Sequence, residues 1–208
     1  MNKHWEAAWA AQQKEQLEKT GIDQALWRAS GRATKANPNK EDGAWWSVEG
    51  EKMVNNWIAW RNGANGWTMW EHNGIPAVEL GLNPVWDGVP VQMHLDRVMV
   101  NPDGELVVLD IKTGARTPSS DLQLAFYAAG MEEMLGVRPR WGAYWMARDG
   151  ITSEMVDLDN FPKEYVLDIV SKFDKARKDG IFIPNFSHCI MCQLKDKCKY
   201  KNGGKNAS

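Results

Sequence analysis

The chain has 208 residues, a formal net charge of −2 at pH 7 and hydrophobic residues at 43% of its positions. This length fits one domain with a substantial core, with room for an elaborated tail. The slight negative charge argues against a histone-like protein that coats nucleic acid. No window is long and apolar enough for a transmembrane helix, and the N-terminus is unlike a signal peptide, so we expect a cytoplasmic protein with no membrane contact.

Residues 1–43 are predicted to form an N-terminal helical segment. The opening residues, MNKHWEAAWAAQQKEQ, indicate a charged amphipathic helix, and the polar, turn-rich stretch from Ser30 to Gly43 separates it from the central part of the chain. A second helix is predicted from Ser47 to Arg61, in which Trp57 and Trp60 recur at helical spacing. Most of the 12 tryptophans of the chain are therefore expected to lie in the core.

A β-hairpin is predicted in the middle of the chain. The runs Val91–Val100 and Glu105–Lys112 are strand-like, and the residues between them, Asn101-Pro102-Asp103-Gly104, suit a type I turn followed by a left-handed glycine bulge. In the register that this turn imposes, Asp96 lies directly opposite Asp110. A plain four-residue loop would shift the register by one residue and separate the two acids.

The charged residues at the end of this hairpin share one face. Successive side chains on a strand alternate, so Asp110 and Lys112 point the same way, and Leu109 and Ile111 point into an apolar layer on the other face. Directly opposed residues have Cβ atoms about 4.5–5.5 Å apart, and two carboxylates at that spacing repel each other unless a cation lies between them. Hard oxygen ligands suit Mg²⁺ or Mn²⁺, so Asp96 and Asp110 are candidate metal ligands.

A helix is predicted directly after the hairpin. Ser120 is the expected N-cap, Gln123 stands at the capping-box position, and Gly136 is expected just past the end of the helix. Gln123 and Tyr127 are four residues apart and therefore share one helix face. Taken alone, the two residues are explained if Gln123 closes a capping box and Tyr127 packs against the rest of the fold.

The rest of residues 44–180 is predicted to complete the core of the domain. The stretch RPRWGAYWMARDG alternates like a strand and ends in a turn, and ITSEMVDL is a candidate for the next strand. A helix is predicted over FPKEYVLDIVSKFDKARKDG. Its apolar face is expected to consist of Val166, Ile169, Val170 and Phe173.

Residues 181–208 are predicted to form a tail that holds every cysteine of the chain, Cys189, Cys192 and Cys198. Clustered cysteines in a cytosolic chain point to a metal site before a disulfide. Soft thiolates select zinc or an iron–sulfur cluster. The plain alternative is that the three residues are small buried side chains without a metal.

Several of these residues, taken in order, resemble the RecB-like branch of the PD-(D/E)xK nuclease superfamily. Asp96-Arg97, Asp110-Ile111-Lys112-Thr113-Gly114 and Gln123-x-x-x-Tyr127 match its motifs in order and spacing, over about residues 91–150. The resemblance implies an α/β (α+β) fold, a restriction-endonuclease-like mixed sheet flanked by helices. It also implies that Asp96, Asp110 and the Ile111 carbonyl hold Mg²⁺ or Mn²⁺. Lys112, Gln123 and Tyr127 would then complete the catalytic site.

Two positions depart from the family's pattern. The family often has glycine three residues before its first metal-binding Asp, where this chain has Met93. The family also tends to place a His or an acid on the helix before the sheet, and the helix predicted here has no His. Glu49, Glu51 and Glu79 are the candidates for that acid. Two glutamates in the first turn of a helix need no function, because the helix dipole favours them there.

The tail resembles that of the CRISPR-associated RecB-like exonucleases and their phage relatives. In those proteins three C-terminal cysteines and one N-terminal cysteine hold a 4Fe–4S cluster. Here the C-x2-C-x5-C spacing is present and the N-terminal cysteine is absent. His4 and His72 are distant candidates for a fourth ligand, and His188 is poorly placed because it adjoins Cys189. The resemblance implies an iron–sulfur cluster, with zinc as the alternative.

The sequence therefore predicts a metal-dependent DNA exonuclease that hydrolyses phosphodiester bonds. Its expected partner is DNA with free or single-stranded ends, and its expected role is phage or bacterial DNA recombination, repair or processing. Two alternatives stay open: a DNA-binding module or complex subunit with a weakened nuclease site, and an endonuclease or resolvase on the same fold. One or two of the tryptophans are left for stacking on unpaired bases.

Overall fold

The structure is a computed structural model of the chain. It describes residues 3–27 and 40–181 without a gap, together with residues 29, 31, 33–35, 38, 185, 189, 192, 194, 196–198 and 200. The predicted loop over residues 30–43 lies partly outside the described residues, and His188 lies outside them altogether.

In the described part of the chain two α-helices come first, and a run of strands, a third α-helix, further short strands and a last α-helix follow. The α-helices there are α1 (Lys3–Thr20), α2 (Gly43–Asn62), α3 (Leu122–Leu135) and α4 (Lys163–Lys178). The strands of the central sheet are β1 (Thr68–Met69), β4 (Val78–Leu82), β7 (Met93–Val100), β8 (Leu106–Lys112), β9 (Trp141–Met146), β10 (Ile151–Thr152) and β11 (Val156–Asp157). Two small hairpins stand apart, β2 (Glu71–His72) with β3 (Ile75–Pro76) and β5 (Val85–Trp86) with β6 (Val89–Pro90).

The central sheet mixes parallel and antiparallel pairs, which confirms the predicted α/β (α+β) fold class. β8 pairs antiparallel with β7 on one side and parallel with β9 on the other. A parallel pair needs a long crossover connection, and α3 supplies it between β8 and β9. β7 pairs antiparallel with β1 and β4 on its other edge.

Each face of the sheet packs against its own helices. α3 packs on one face with α4 beside it, and Leu124 and Val166 join the buried cluster there. α2 packs on the other face, where Met53 is buried and Trp57 and Trp60 are partly buried against the sheet. These contacts confirm the predicted core role of the α2 tryptophans.

The β7–β8 hairpin has the predicted register. Gly104 closes the turn in the left-handed region, with a φ of 81°, as the glycine bulge requires. The antiparallel ladder ends with Arg97 opposite Leu109. One further step in the same register places Asp96 opposite Asp110.

α2 begins four residues earlier than predicted. Asp42 is its N-cap, and the Asp42 carboxylate accepts a hydrogen bond from Trp45 N over 2.9 Å, so the helix opens at Gly43. Glu49 and Glu51 consequently lie beyond the first turn. The helix dipole therefore does not account for these two glutamates, contrary to the expectation from sequence.

α3 and α4 also differ from prediction in detail. α3 begins at Leu122 with Asp121 as its N-cap, so the prediction of Ser120 as N-cap is one residue too early. Gly136 ends the helix in the left-handed conformation, as predicted. In α4, Phe173 is 72% exposed, and its predicted place on the buried face is wrong. At this point α4 packs on the small β5–β6 hairpin, which leaves the ring at the rim of an open groove.

α1 lies on the outside of the fold, and none of its residues is buried. It contacts α2 through Trp5, whose Nε1 donates a hydrogen bond to Ser47 O over 2.8 Å. The division into residues 1–43, 44–180 and 181–208 remains a prediction. Within the described residues, no helix combines the length and the apolarity that a membrane span needs.

The close packing between β9 and α3 provides a test of this fold. A Cβ added at Gly142 would lie 3.0 Å from Leu124 Cδ1 and 3.2 Å from Leu124 Cβ. Gly142→Ala is therefore expected to lower the free energy of unfolding by about 1–3 kcal/mol through overpacking. Gly81→Ala is the matched strand control, because a Cβ there would meet only the His94 ring at 3.7 Å. Urea denaturation measures the free energy of unfolding of both variants, and equal values for the two would contradict this packing.

Candidate active site

Asp96 and Asp110 lie side by side at the end of the β7–β8 hairpin. The Asp96 Oδ2 atom accepts a hydrogen bond from Ile111 N over 2.7 Å. This contact holds the Asp96 carboxylate against β8, next to the residue that carries the second carboxylate. The structure therefore brings together the two candidate metal ligands and the main chain of Ile111.

Asp110 is a buried carboxylate, only 2% exposed. Burial raises the pKa of Asp110 above its usual range, and the Lys112 ammonium acts against this shift. Lys112 Nζ lies 2.6 Å from Asp110 Oδ2. Within the described residues, Oδ2 accepts no hydrogen bond of good geometry, so the contact with Lys112 is an ion pair. Asp110 thus keeps unused acceptor capacity at a place with little access to water.

A continuous set of contacts links Asp110 to α3. Lys112 Nζ donates a hydrogen bond to Gln123 Oε1 over 2.8 Å, and Gln123 Nε2 donates to the Tyr127 hydroxyl over 2.8 Å. Burial raises the pKa of Tyr127, so the phenol keeps its proton at neutral pH. Gln123 therefore does more than the capping role that its position suggests, because it bridges the lysine of β8 and the tyrosine of α3.

Tyr144 is part of this site, and sequence reasoning missed it. It pairs with Asp110 in the parallel register of β8 and β9, and its ring centre lies 5.7 Å from Lys112 Nζ. The Tyr144 hydroxyl donates a hydrogen bond to Ser120 O over 3.2 Å. Burial raises the pKa of Tyr144, with a further contribution from the charge of Asp121. The parallel register depends on the path of the α3 crossover, so no local pattern around Tyr144 could have indicated its position.

Glu79 lies on the strand next to Asp96. Val78 pairs with Arg97 in the antiparallel register of β4 and β7, which puts Glu79 opposite Asp96. The backbone of Glu79 is in the left-handed region, with a φ of 51°. Its exposed carboxylate forms an ion pair with Arg97 Nη1 at 3.3 Å. Glu79 is thus near the site in the sheet, while its side chain is engaged with an arginine.

The donor set suits a hard divalent cation. Proteins often bind Mg²⁺ through about one or two carboxylates and leave the other positions to water and substrate phosphates. Asp96, Asp110 and the Ile111 carbonyl offer that kind of partial oxygen set. Among the described residues, no group of three or more His, Cys, Asp or Glu side chains converges as a metal site. Neither Glu79 nor a glutamate of α2 therefore joins the two aspartates as a third ligand in this structure.

The three tail cysteines are free thiols. Cys189 and Cys198 are half-buried, and Cys192 is exposed. In the part of the chain that the structure describes, they do not converge with one another or with histidines as a metal site. His4 and His72 lie on α1 and β2, and within the described ranges neither forms a metal-binding group with the tail cysteines.

Comparison with known proteins agrees with the motifs. The sequence profile of the PD-(D/E)XK nuclease superfamily matches residues 2–199. The chain is 29% identical over 191 residues to the Gene 69 protein of Mycobacterium phage D29, a match that covers 81% of this chain and 69% of that protein. It is 30% identical over 175 residues to the Gene 69 protein of Mycobacterium phage L5, covering 72% of this chain and 60% of that relative, which is less than two thirds of its length. Because the superfamily profile spans nearly the whole chain, we conclude that it belongs to the PD-(D/E)XK nuclease superfamily.

Proposed function

We propose that the chain is a DNA exonuclease of the RecB-like type that hydrolyses phosphodiester bonds with Mg²⁺ or Mn²⁺. Membership in the superfamily supports a nuclease acting on DNA with such a metal. The contacts that run from Asp110 through Lys112 and Gln123 to Tyr127 carry the proposal, because they gather in one place the residues whose order and spacing resemble RecB-like nucleases. The two similar proteins come from phages, which favours a role in phage or bacterial DNA recombination, repair or processing in the cytoplasm.

Asp96, Asp110 and the Ile111 carbonyl would hold the divalent cation. The unused acceptor capacity of the buried Asp110 Oδ2 atom supports this assignment. When bound, such a cation lowers the pKa of a water ligand and stabilises the negative charge that develops on the phosphate. Asp96 is oriented for this role by its hydrogen bond with Ile111 N.

Lys112, Gln123 and Tyr127 are the groups that we propose to orient the attacking water and the DNA backbone. An ammonium has three donors, and Lys112 uses one of them in the hydrogen bond to Gln123 while its charge pairs with Asp110, so donor capacity remains for a water or a phosphate oxygen. Gln123 holds both the lysine and the tyrosine in place. The protonated Tyr127 hydroxyl can donate a hydrogen bond to a phosphate oxygen.

A DNA-binding subunit with a weakened nuclease site is the second candidate, motivated by Met93 in place of the family's glycine. Met93 is 6% exposed, and its Sδ atom lies against Gly130 of α3. The methionine thus packs in the core between β7 and α3. This packing supports the nuclease over the weakened site, because the departure is accommodated away from the two carboxylates.

Loss of the buried acid or of the lysine should abolish cleavage without loss of the fold. Asp110→Asn and Lys112→Ala are each expected to lower the cleavage rate in Mn²⁺ at least about a hundredfold, because transition-state stabilisation by the metal and the ammonium is lost. Asp110→Asn should keep or raise the melting temperature, since a neutral amide avoids the cost of burying a charge. Initial rates on labelled DNA and thermal melts measure the two effects.

Asp174→Asn is the matched control for this experiment. Asp174 is 7% exposed and pairs with Arg177 and Lys178 on α4, so it is also a buried and paired carboxylate, outside the candidate site. The Asp174→Asn variant should therefore cleave DNA at the parental rate. Parental cleavage by Asp110→Asn would refute the site, and a parent protein that binds DNA but does not cleave it would favour the DNA-binding role.

An exonuclease should require DNA ends. Linear DNA is expected to be degraded in Mn²⁺ and protected by EDTA, while covalently closed single-stranded circles survive under the same conditions. This expectation rests on the resemblance to RecB-like exonucleases and on no feature of the site itself. Gel analysis of the two substrates in one reaction provides the measurement. Rapid nicking of the circles would favour an endonuclease or resolvase instead.

The tail is proposed to bind an iron–sulfur cluster through Cys189, Cys192 and Cys198, with zinc as the alternative. The C-x2-C-x5-C spacing supports this, while the described residues supply no fourth ligand. Protein purified without oxygen is expected to absorb visible light and to contain iron, and Cys192→Ser should lose both. A colourless protein with stoichiometric zinc would replace the cluster by a zinc site. Protein with neither metal would contradict the site and leave the nuclease assignment intact.

A further inference from the structure

The carboxyl end of β8 is fixed by the residues immediately after β9. Ala147 N donates a hydrogen bond to Lys112 O over 2.9 Å, and Arg148 Nε donates to Thr113 O over 2.7 Å. The two accepting carbonyls belong to the candidate catalytic lysine and to the residue after it. The carbonyls of Lys112 and Thr113 are therefore both bonded to one dipeptide, Ala147-Arg148.

The Arg148 side chain is held by other groups as well. Its Nη1 and Nη2 atoms form a bidentate pair with the Glu41 carboxylate, at 2.8 and 3.2 Å, and its guanidinium carbon lies 4.8 Å from the Trp45 ring centre. The side chains of Arg148 and Glu41 are 19% and 20% exposed, so solvent screens this pair less than it screens a surface ion pair. The planar guanidinium serves Glu41 and Thr113 at the same time, which the single ammonium of a lysine cannot reproduce.

α2 fixes the other side of the same dipeptide. Asn56 Nδ2 donates hydrogen bonds to Ala147 O over 3.0 Å and to Arg148 O over 3.2 Å. A Cβ added at Gly150 would lie 3.1 Å from Asn56 Cβ, so the turn after β9 sits directly on α2. The Ala147-Arg148 dipeptide is therefore bonded to α2 on one side and to the end of β8 on the other.

We propose that Arg148 is a positioning residue of the active site. By joining Glu41 to the Thr113 carbonyl, it fixes the end of the strand that carries the candidate catalytic acid and lysine. Residues 113–117 are exposed, so without this tie the end of the strand would open into the adjoining loop. A displacement of a catalytic group by about 1 Å can lower a rate about a hundredfold. The inference rests on the proposed function and adds a residue on which the geometry of that site depends.

Arg140 provides a matched control near the start of β9. Its guanidinium carbon lies 4.7 Å from the Trp141 ring centre, and it pairs with Asp157 at 3.4 Å and with Asp159 at 3.7 Å. Arg140→Ala therefore removes an arginine that is likewise stacked on tryptophan and paired with acids. It leaves the contacts at Lys112 and Thr113 in place.

The test measures steady-state cleavage of linear DNA in Mn²⁺ and amide hydrogen exchange for the parent, Arg148→Ala, Arg148→Lys and Arg140→Ala. Arg148→Ala is expected to lower kcat at least about tenfold with KM within about threefold of the parent, because substrate binding is retained and geometry is lost. Exchange across residues 111–117 should be at least about tenfold faster, since the strand end opens more often. Arg140→Ala should leave kcat and this exchange within about threefold of the parent. Arg148→Lys should lower kcat by more than about threefold, because it loses the planar fork.

Two results would overturn the inference. One is a kcat for Arg148→Ala within about threefold of the parent, and the other is exchange across residues 111–117 no faster than in Arg140→Ala. If Arg148→Ala does not fold, Arg148→Lys decides by the same two measurements. A parent protein that cleaves no DNA would refute the proposed function, and the exchange comparison would then decide the role of Arg148 alone.

Discussion

The buried charge of Asp110 constrains the arrangement of the residues around the candidate active site. A carboxylate that is 2% exposed at the end of an apolar strand has lost most of its hydration, and an unpaired buried charge is expensive. Lys112 supplies a compensating cation from the same face of the same strand, at 2.6 Å. Apolar residues in place of such a pair are often neutral or stabilising, so stability alone does not explain the pair. Burial still raises the pKa of Asp110, which means that the lysine offsets only part of the cost of burying this charge.

The mixed sheet explains how residues from separate elements come to lie around Asp110. β7 and β8 are joined by a hairpin, whereas β8 and β9 are parallel and require a crossover. α3 is that crossover, and it packs on the face toward which Asp110 and Lys112 point, so Gln123 and Tyr127 in its first two turns reach the lysine. An antiparallel strand in the place of β9 could follow β8 through a short turn. No helix would then be required over this face, and the contacts with Gln123 and Tyr127 would be lost.

Local rules govern the parts of the site that could be predicted from the sequence. The glycine turn at Gly104 sets the hairpin register, and strand alternation places Asp110 and its lysine on one face. Contacts between distant segments could not be predicted in this way. Tyr144 reaches the site through a parallel register, and Arg148 pairs with Glu41 across 107 residues of sequence. Helical spacing likewise identifies an apolar face on α4. It does not indicate how much of that face the neighbouring elements cover, and Phe173 lies on the part that they leave exposed.

At the candidate site, side chains replace the backbone ladder between β7 and β8, while the parallel ladder between β8 and β9 continues as far as Lys112. The ladder between β7 and β8 ends one residue before the two carboxylates, and beyond it Ile111 N bonds to the Asp96 carboxylate rather than to a main-chain carbonyl. Close by, the Thr113 carbonyl is satisfied by the Arg148 side chain. These side chains satisfy Ile111 N and the Thr113 carbonyl where the β7–β8 ladder no longer does. The end of the β7–β8 ladder leaves the two carboxylates beside a strand end that main-chain pairing with β7 no longer holds, and the Arg148 side chain, just beyond β9, holds that end in place.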